Sequence, residues 1–160
     1  MRRIFERRPK MVMTISTKTF VLTVLLLSAG AGAMSMLMPW FVIKVSTYYT
    51  LTVSGWDLFV DSMNDFDIDY SYVNMMPFIA FIFSFVAMYG VARSFYRRKR
   101  QPTIVIGGMG MIIAVLIFST YDYSYSPMSY FMGAGAVITL IAGLVVLLGG
   151  AMIISPKSRL

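Results

Sequence analysis

Cysteine and histidine are both missing from this 160-residue chain. Without cysteine there is no disulfide, no thiolate metal site and no cysteine nucleophile. Without histidine the chain lacks the commonest metal ligand and the commonest general base. Charge is scarce as well: 13% of residues are Asp, Glu, Lys or Arg, where a soluble domain carries roughly 25%. Hydrophobic residues make up 58%, and the length fits one compact unit. Four long apolar runs, 19–43, 73–92, 103–120 and 128–154, hold no Asp, Glu, Lys, Arg or His at all. Ionisable groups inside a membrane mark proton relays, ion paths and voltage sensors, so an ion-coupled transporter is disfavoured.

Each run is long enough for a membrane span of roughly 17–25 residues. A secretory signal peptide is the rival reading of the first. The n-region is basic, Phe20–Leu27 is a short apolar core, and Ala31-Gly32-Ala33 offers a cleavage site. The apolar run continues well past that site, which favours a retained span. Four spans with short connections imply a helical bundle.

The few charges are sorted by compartment. Thirteen of the fourteen basic residues lie in the N-terminus, the 93–102 turn and the C-terminus, with Glu6 as their one acidic neighbour, a net +12. Lys44 lies on the other side with six aspartates, a net −5. Short loops rich in Lys and Arg stay cytoplasmic. Both termini are therefore expected in the cytoplasm, with loops 44–72 and 121–127 outside a cell membrane.

The stretch Pro39–Tyr72 is the longest polar interruption, with both tryptophans and five of the seven acidic residues. Phe41–Val53 alternates in the manner of a strand, rich in β-branched and aromatic residues. Ser54-Gly55-Trp56-Asp57 is a helix start signal. It predicts a short helix from Gly55 to about Met63, with Trp56, Phe59 and Val60 packed on the sheet or on lipid headgroups. Asp65–Tyr72 and Tyr121–Tyr125 alternate strictly. Together these segments predict a small antiparallel sheet over the helix ends. The fold class is thus an all-α transmembrane four-helix bundle carrying a small extracellular antiparallel β-sheet.

A four-span chain with both ends inside, Trp40 in its first outer loop and Gly55-Trp56 further on, resembles the claudin-like group, which includes the peripheral myelin proteins. That group carries a W…G-L-W motif and two cysteines in its first outer loop; here the Leu and both cysteines are absent. The Pro39-Trp40 and Ser54-Gly55-Trp56-Asp57-Leu58 phrasing is also similar to small four-span proteins of prokaryotes. The resemblance covers the layout and implies a β-rich outer loop on a four-helix bundle, with lateral or cell-surface contacts.

Several residue sets invite a chemical reading. Asp65, Asp67 and Asp69 have calcium-loop spacing, but Tyr70 and Met76 occupy the positions where that loop needs Gly and Glu. A solvated strand face explains the same spacing. Met34, Met36 and Met38, like Met109 and Met111, sit two apart, where a helix sends side chains to different faces. Adaptable packing suits them better than copper. No cofactor or metal is expected.

Ser28 with Gly32, and Gly135 with Thr139 and Gly143, form small-residue faces that let helices approach closely. Arg97, Arg98, Lys99 and Arg100 suit anionic lipid beside a membrane better than nucleic acid. Trp40, Tyr49, Trp56, Phe59, Tyr70, Tyr72 and Tyr123 are aromatic candidates for partner binding, with an interfacial aromatic belt as the alternative. The function these residues favour is a non-catalytic structural or accessory membrane subunit. It would form a homo-oligomer or join a larger complex among membrane lipids, without nucleic acid. A small channel or carrier is the alternative, with little polar lining beyond Ser28, Ser84, Tyr89 and Thr139. A membrane enzyme using the outer aspartates ranks third, because nothing positions a nucleophile.

Overall fold

The computed structural model describes residues 8–44, 49–64, 73–96, 101–120 and 129–154. Among the described residues, four helical stretches are long and apolar enough to cross a membrane: Lys18–Leu37, Met76–Tyr96, Pro102–Thr120 and Ala134–Ile154. The first is the end of helix α1 (Arg8–Met34) with a 3-10 turn, Ser35–Leu37. The others are α3 (Met76–Tyr96), α4 (Pro102–Thr120) and α5 (Ala134–Ile154). Helices suit such apolar segments because they satisfy every interior backbone N–H and C=O within the segment.

Helix α1 packs against α3 and α5, and α4 packs against the same two. The four therefore form a square, each side an antiparallel pair. Gly107 and Gly108 of α4 make two of these sides close. A Cβ on Gly107 would come within 2.6 Å of Ala87 on α3, and one on Gly108 within 2.6 Å of the Leu147 backbone nitrogen on α5. Contact this intimate replaces the hydrophobic drive that lipid cannot supply between helices.

The first span stops well before Ile43, its expected end. Pro39 is the reason. A residue that precedes proline is pushed out of the helical region, and Met38 is extended at φ −92°, ψ 162°. The Met38 N–H closes the 3-10 turn on the Ser35 carbonyl at 3.0 Å. Strand β1, Pro39–Lys44, starts immediately.

The expected single strand Phe41–Val53 is a hairpin instead. Strand β1 pairs antiparallel with β2 (Thr50–Ser54), matching Phe41 to Val53 and Lys44 to Thr50. A third strand, β3 (Ser129–Met132), pairs with β1, matching Phe41 to Met132. Among the described residues the order is β2-β1-β3, a three-stranded antiparallel sheet. Strand β3 uses residues expected to begin the fourth span. Gly133 separates it from α5: its N–H donates to the Trp40 carbonyl at 2.9 Å, and a Cβ there would run into the Pro39 carbonyl oxygen. The strands expected over Asp65–Tyr72 and Tyr121–Tyr125 lie outside the described residues.

Helix α2, Gly55–Asn64, forms where the start signal placed it. The capping box is complete. The Asp57 N–H donates to Ser54 Oγ at 3.1 Å, and Asp57 Oδ2 accepts from the Ser54 N–H at 3.2 Å and from its hydroxyl at 2.7 Å. The buried stripe of α2, however, is Gly55, Leu58 and Ser62, not Trp56, Phe59 and Val60. Gly55 sets that rotation by its close approach: a Cβ would meet Pro77 at 2.8 Å and Trp40 at 2.9 Å.

Candidate functional site

Among the described residues, Trp40 is the most deeply buried side chain joining the sheet to the bundle. Register slips between Pro39 and Phe41, so two consecutive side chains, Trp40 and Phe41, are both buried. An irregularity of this kind breaks the usual in-and-out alternation of a strand. Phe118 at the end of α4 meets both rings edge-on, at 5.3 Å from Trp40 and 6.3 Å from Phe41. The indole Nε1–H donates to the Ser35 carbonyl at 2.9 Å. Beneath it, the hydroxyls of Ser35 and Thr139 touch, joining the end of α1 to α5. Ser35 Oγ also reaches the Gly32 carbonyl at 2.6 Å, and Thr139 Oγ1 the Gly135 carbonyl at 2.9 Å. Two hydroxyl hydrogens serve three contacts, so two of the three are hydrogen bonds at any moment.

The small-residue candidates meet here and just below. A Cβ on Gly135 would come within 2.6 Å of the Trp40 ring, and one on Gly143 within 3.0 Å of Ile112. Gly32 faces the middle of the bundle, with Met111, Ser84 and Ala142 around it. Ser28 is half-buried on α1. The face of Gly135, Thr139 and Gly143 is thus occupied within the bundle.

The aromatic candidates separate into three groups. Trp40 is fully buried and presents no surface. Tyr49 is 59% exposed, just before β2. Exposure rises along that strand, from the half-buried Val53 to Leu51 at 43%, so the hairpin runs out beyond its cover. Trp56 is 50% exposed and lies against Phe59 at 5.8 Å; Phe59 in turn stacks on Phe78 of α3 at 4.2 Å. Tyr70, Tyr72 and Tyr123 lie outside the described residues. So do Asp65, Asp67 and Asp69, and the basic run Arg97, Arg98, Lys99 and Arg100.

Met36 is buried while Met34 and Met38 on either side are exposed, so Met36 points away from the other two. Among the described residues, no three His, Cys, Asp or Glu side chains come together where an ion could be held. Sequence reasoning missed Ser35, Phe118 and Phe78. Ser35 and Thr139 are 104 residues apart, and no linear pattern links them. Phe78, by contrast, begins a visible series with Phe81 and Phe85 at helical spacing. The chain matches no family model, and comparison with curated proteins gives no significant relative.

Proposed function

We propose that this chain is a non-catalytic, multi-pass membrane protein that serves as a structural or accessory subunit, working through its outer surface and its lateral faces. One observation carries the reading. Among the described residues, small residues inside the bundle meet close packing neighbours. Gly32 abuts Met111, Gly107 abuts Ala87 and Gly108 abuts Leu147, while the interior hydroxyls of Ser84, Thr139 and Ser94 donate to carbonyls of their own helices. What the molecule offers to others is its exterior.

On this reading both termini are cytoplasmic, and the sheet with α2 projects from the opposite face of the cell membrane. The charge asymmetry of +12 against −5 supports that orientation. The outer contact surface is the exposed end of the hairpin, around Lys44, Tyr49 and Leu51. Tyrosine anchors interfaces at low entropic cost, and among the described residues β2 and β3 stand at the two edges of the sheet. The claudin-like comparison is proposed for architecture alone, a four-span bundle under a small sheet. Reconstitution into liposomes tests the function. The expected result is no selective flux of ions or small solutes; selective conduction would favour the channel or carrier reading instead.

A further inference from the structure

Helix α2 has more apolar surface than the bundle covers. With about 3.6 residues per turn, Gly55, Leu58 and Ser62 form its buried stripe. Phe59, Met63, Trp56 and Val60 form the adjoining arc. Met63 is 57% exposed, Trp56 50% and Val60 37%. Asp57, Asp61 and Asn64 complete the circle, all exposed. Two neighbouring apolar faces and one acidic face are more than a helix lying on a core in water needs.

The uncovered arc is continuous with the outer side of α3. Trp56 leans on Phe59 and Phe59 stacks on Phe78, with ring planes 18° apart. Phe78 is followed by Phe81 at 6.2 Å and Phe81 by Phe85 at 4.8 Å. Phe85 is 50% exposed, and Ile82 and Tyr89 on that side of α3 are 46% and 58% exposed. An aromatic row therefore runs without a break from α2 onto the outward face of a spanning helix. Whatever solvates Ile82 and Phe85 also reaches Trp56.

We infer that α2 is an interfacial helix, with its Trp56, Val60 and Met63 arc immersed at the boundary between headgroups and acyl chains. Asp57 and Asp61 face water. The inference rests on the reading that α3 crosses a bilayer. Helices with this division between apolar and charged faces lie in the interface plane, and tryptophan favours the same depth. The occupant of the arc is bilayer lipid, not a protein partner, and α2 sets how deeply the sheet sits on the membrane.

The absence of native cysteine makes site-directed labelling direct. Trp56→Cys, Val60→Cys, Met63→Cys, Asp61→Cys, Asn64→Cys and Ile82→Cys are each labelled with a nitroxide in phosphatidylcholine vesicles. Accessibility to oxygen and to a water-soluble nickel chelate is then measured. The expected oxygen-to-nickel ratio at 56, 60 and 63 matches that at 82 and exceeds that at 61 and 64 several-fold. A lipid-like value at 82 with water-like values at 56, 60 and 63 would overturn the interfacial placement alone. A water-like value at 82 would overturn the spanning reading with it. Spin–spin broadening at 56, 60 and 63, with both reagents excluded, would mean that a second copy covers the arc and would also overturn the inference. As a check free of labels, the emission lost in Trp56→Phe is expected to be the part quenched by shallow-brominated phosphatidylcholine. Failure of that lipid to quench it would contradict the placement.

Discussion

Replacing the two tryptophans in turn should produce very unequal losses of stability. Trp40 is fully buried, in edge contact with Phe118 and against Gly55 and Gly135. Trp40→Ala empties that site, and large aromatic truncations in packed cores cost about 3–5 kcal/mol. Trp40→Phe is milder for a specific reason. The Ser35 carbonyl that accepts the indole N–H at 2.9 Å also accepts the Met38 N–H at 3.0 Å. It therefore keeps a partner when the indole is lost. One hydrogen bond of about 1 kcal/mol, and a similar amount for the missing ring atoms, gives roughly 2 kcal/mol. Trp56→Ala should cost about 1 kcal/mol, since the residue is half exposed and keeps one tilted ring contact. Reversible unfolding in mixed micelles, followed by circular dichroism, reads all three on one scale. Equal losses for Trp40→Ala and Trp56→Ala would refute the assignment of Trp40 as a side chain that joins the sheet to the bundle.

Other expectations follow from the same contacts. Gly108→Ala should cost about 1–3 kcal/mol by forcing α4 from α5, because its Cβ would meet backbone atoms of Leu147 and Gly143. Gly30→Ala, with nothing within 4 Å, should be neutral or stabilising by up to about 1 kcal/mol; both are read by unfolding in micelles. Ser54→Ala removes the hydroxyl that accepts the Asp57 N–H and donates to Asp57 Oδ2, leaves the backbone N–H of residue 54 to Asp57 Oδ2, and should cost about 1 kcal/mol, seen as faster amide exchange confined to the first turn of α2. Thr139→Val should cost about 1 kcal/mol, since Ser35 Oγ still reaches the Gly32 carbonyl. A tag at either terminus should resist protease added to intact cells, and external digestion of either would reverse the orientation.

The parts of the fold that were legible in the sequence are those set by local rules. Length and lack of charge mark four spans, and Ser54 with Asp57 marks the start of α2. Boundaries set by tertiary contact were harder. The apolar run from Thr19 to Ile43 hides a change from helix to strand, although Pro39 gives a local reason for it. Ser129–Met132 joins the sheet because β1 is there to pair with it, and its apolar character alone reads as the start of a span. The face of α2 depended on Gly55 meeting Pro77 and Trp40, contacts no spacing rule encodes. For the same reason Trp40 and Trp56 looked equivalent as aromatic anchors, yet one is interior and the other exposed. Gly135, Thr139 and Gly143 share helical spacing in the sequence, but their neighbours Trp40, Ser35 and Ile112 are linked to them by no linear pattern.

The claim that the chain works as a subunit is tested most directly by the mass of the intact assembly extracted from its native membrane in mild detergent. One chain is 18.0 kDa. The account expects a discrete particle heavier than that, either a whole multiple of the chain or a stoichiometric complex with other proteins. A homogeneous particle carrying a single 18.0 kDa chain across a range of mild detergents would contradict it.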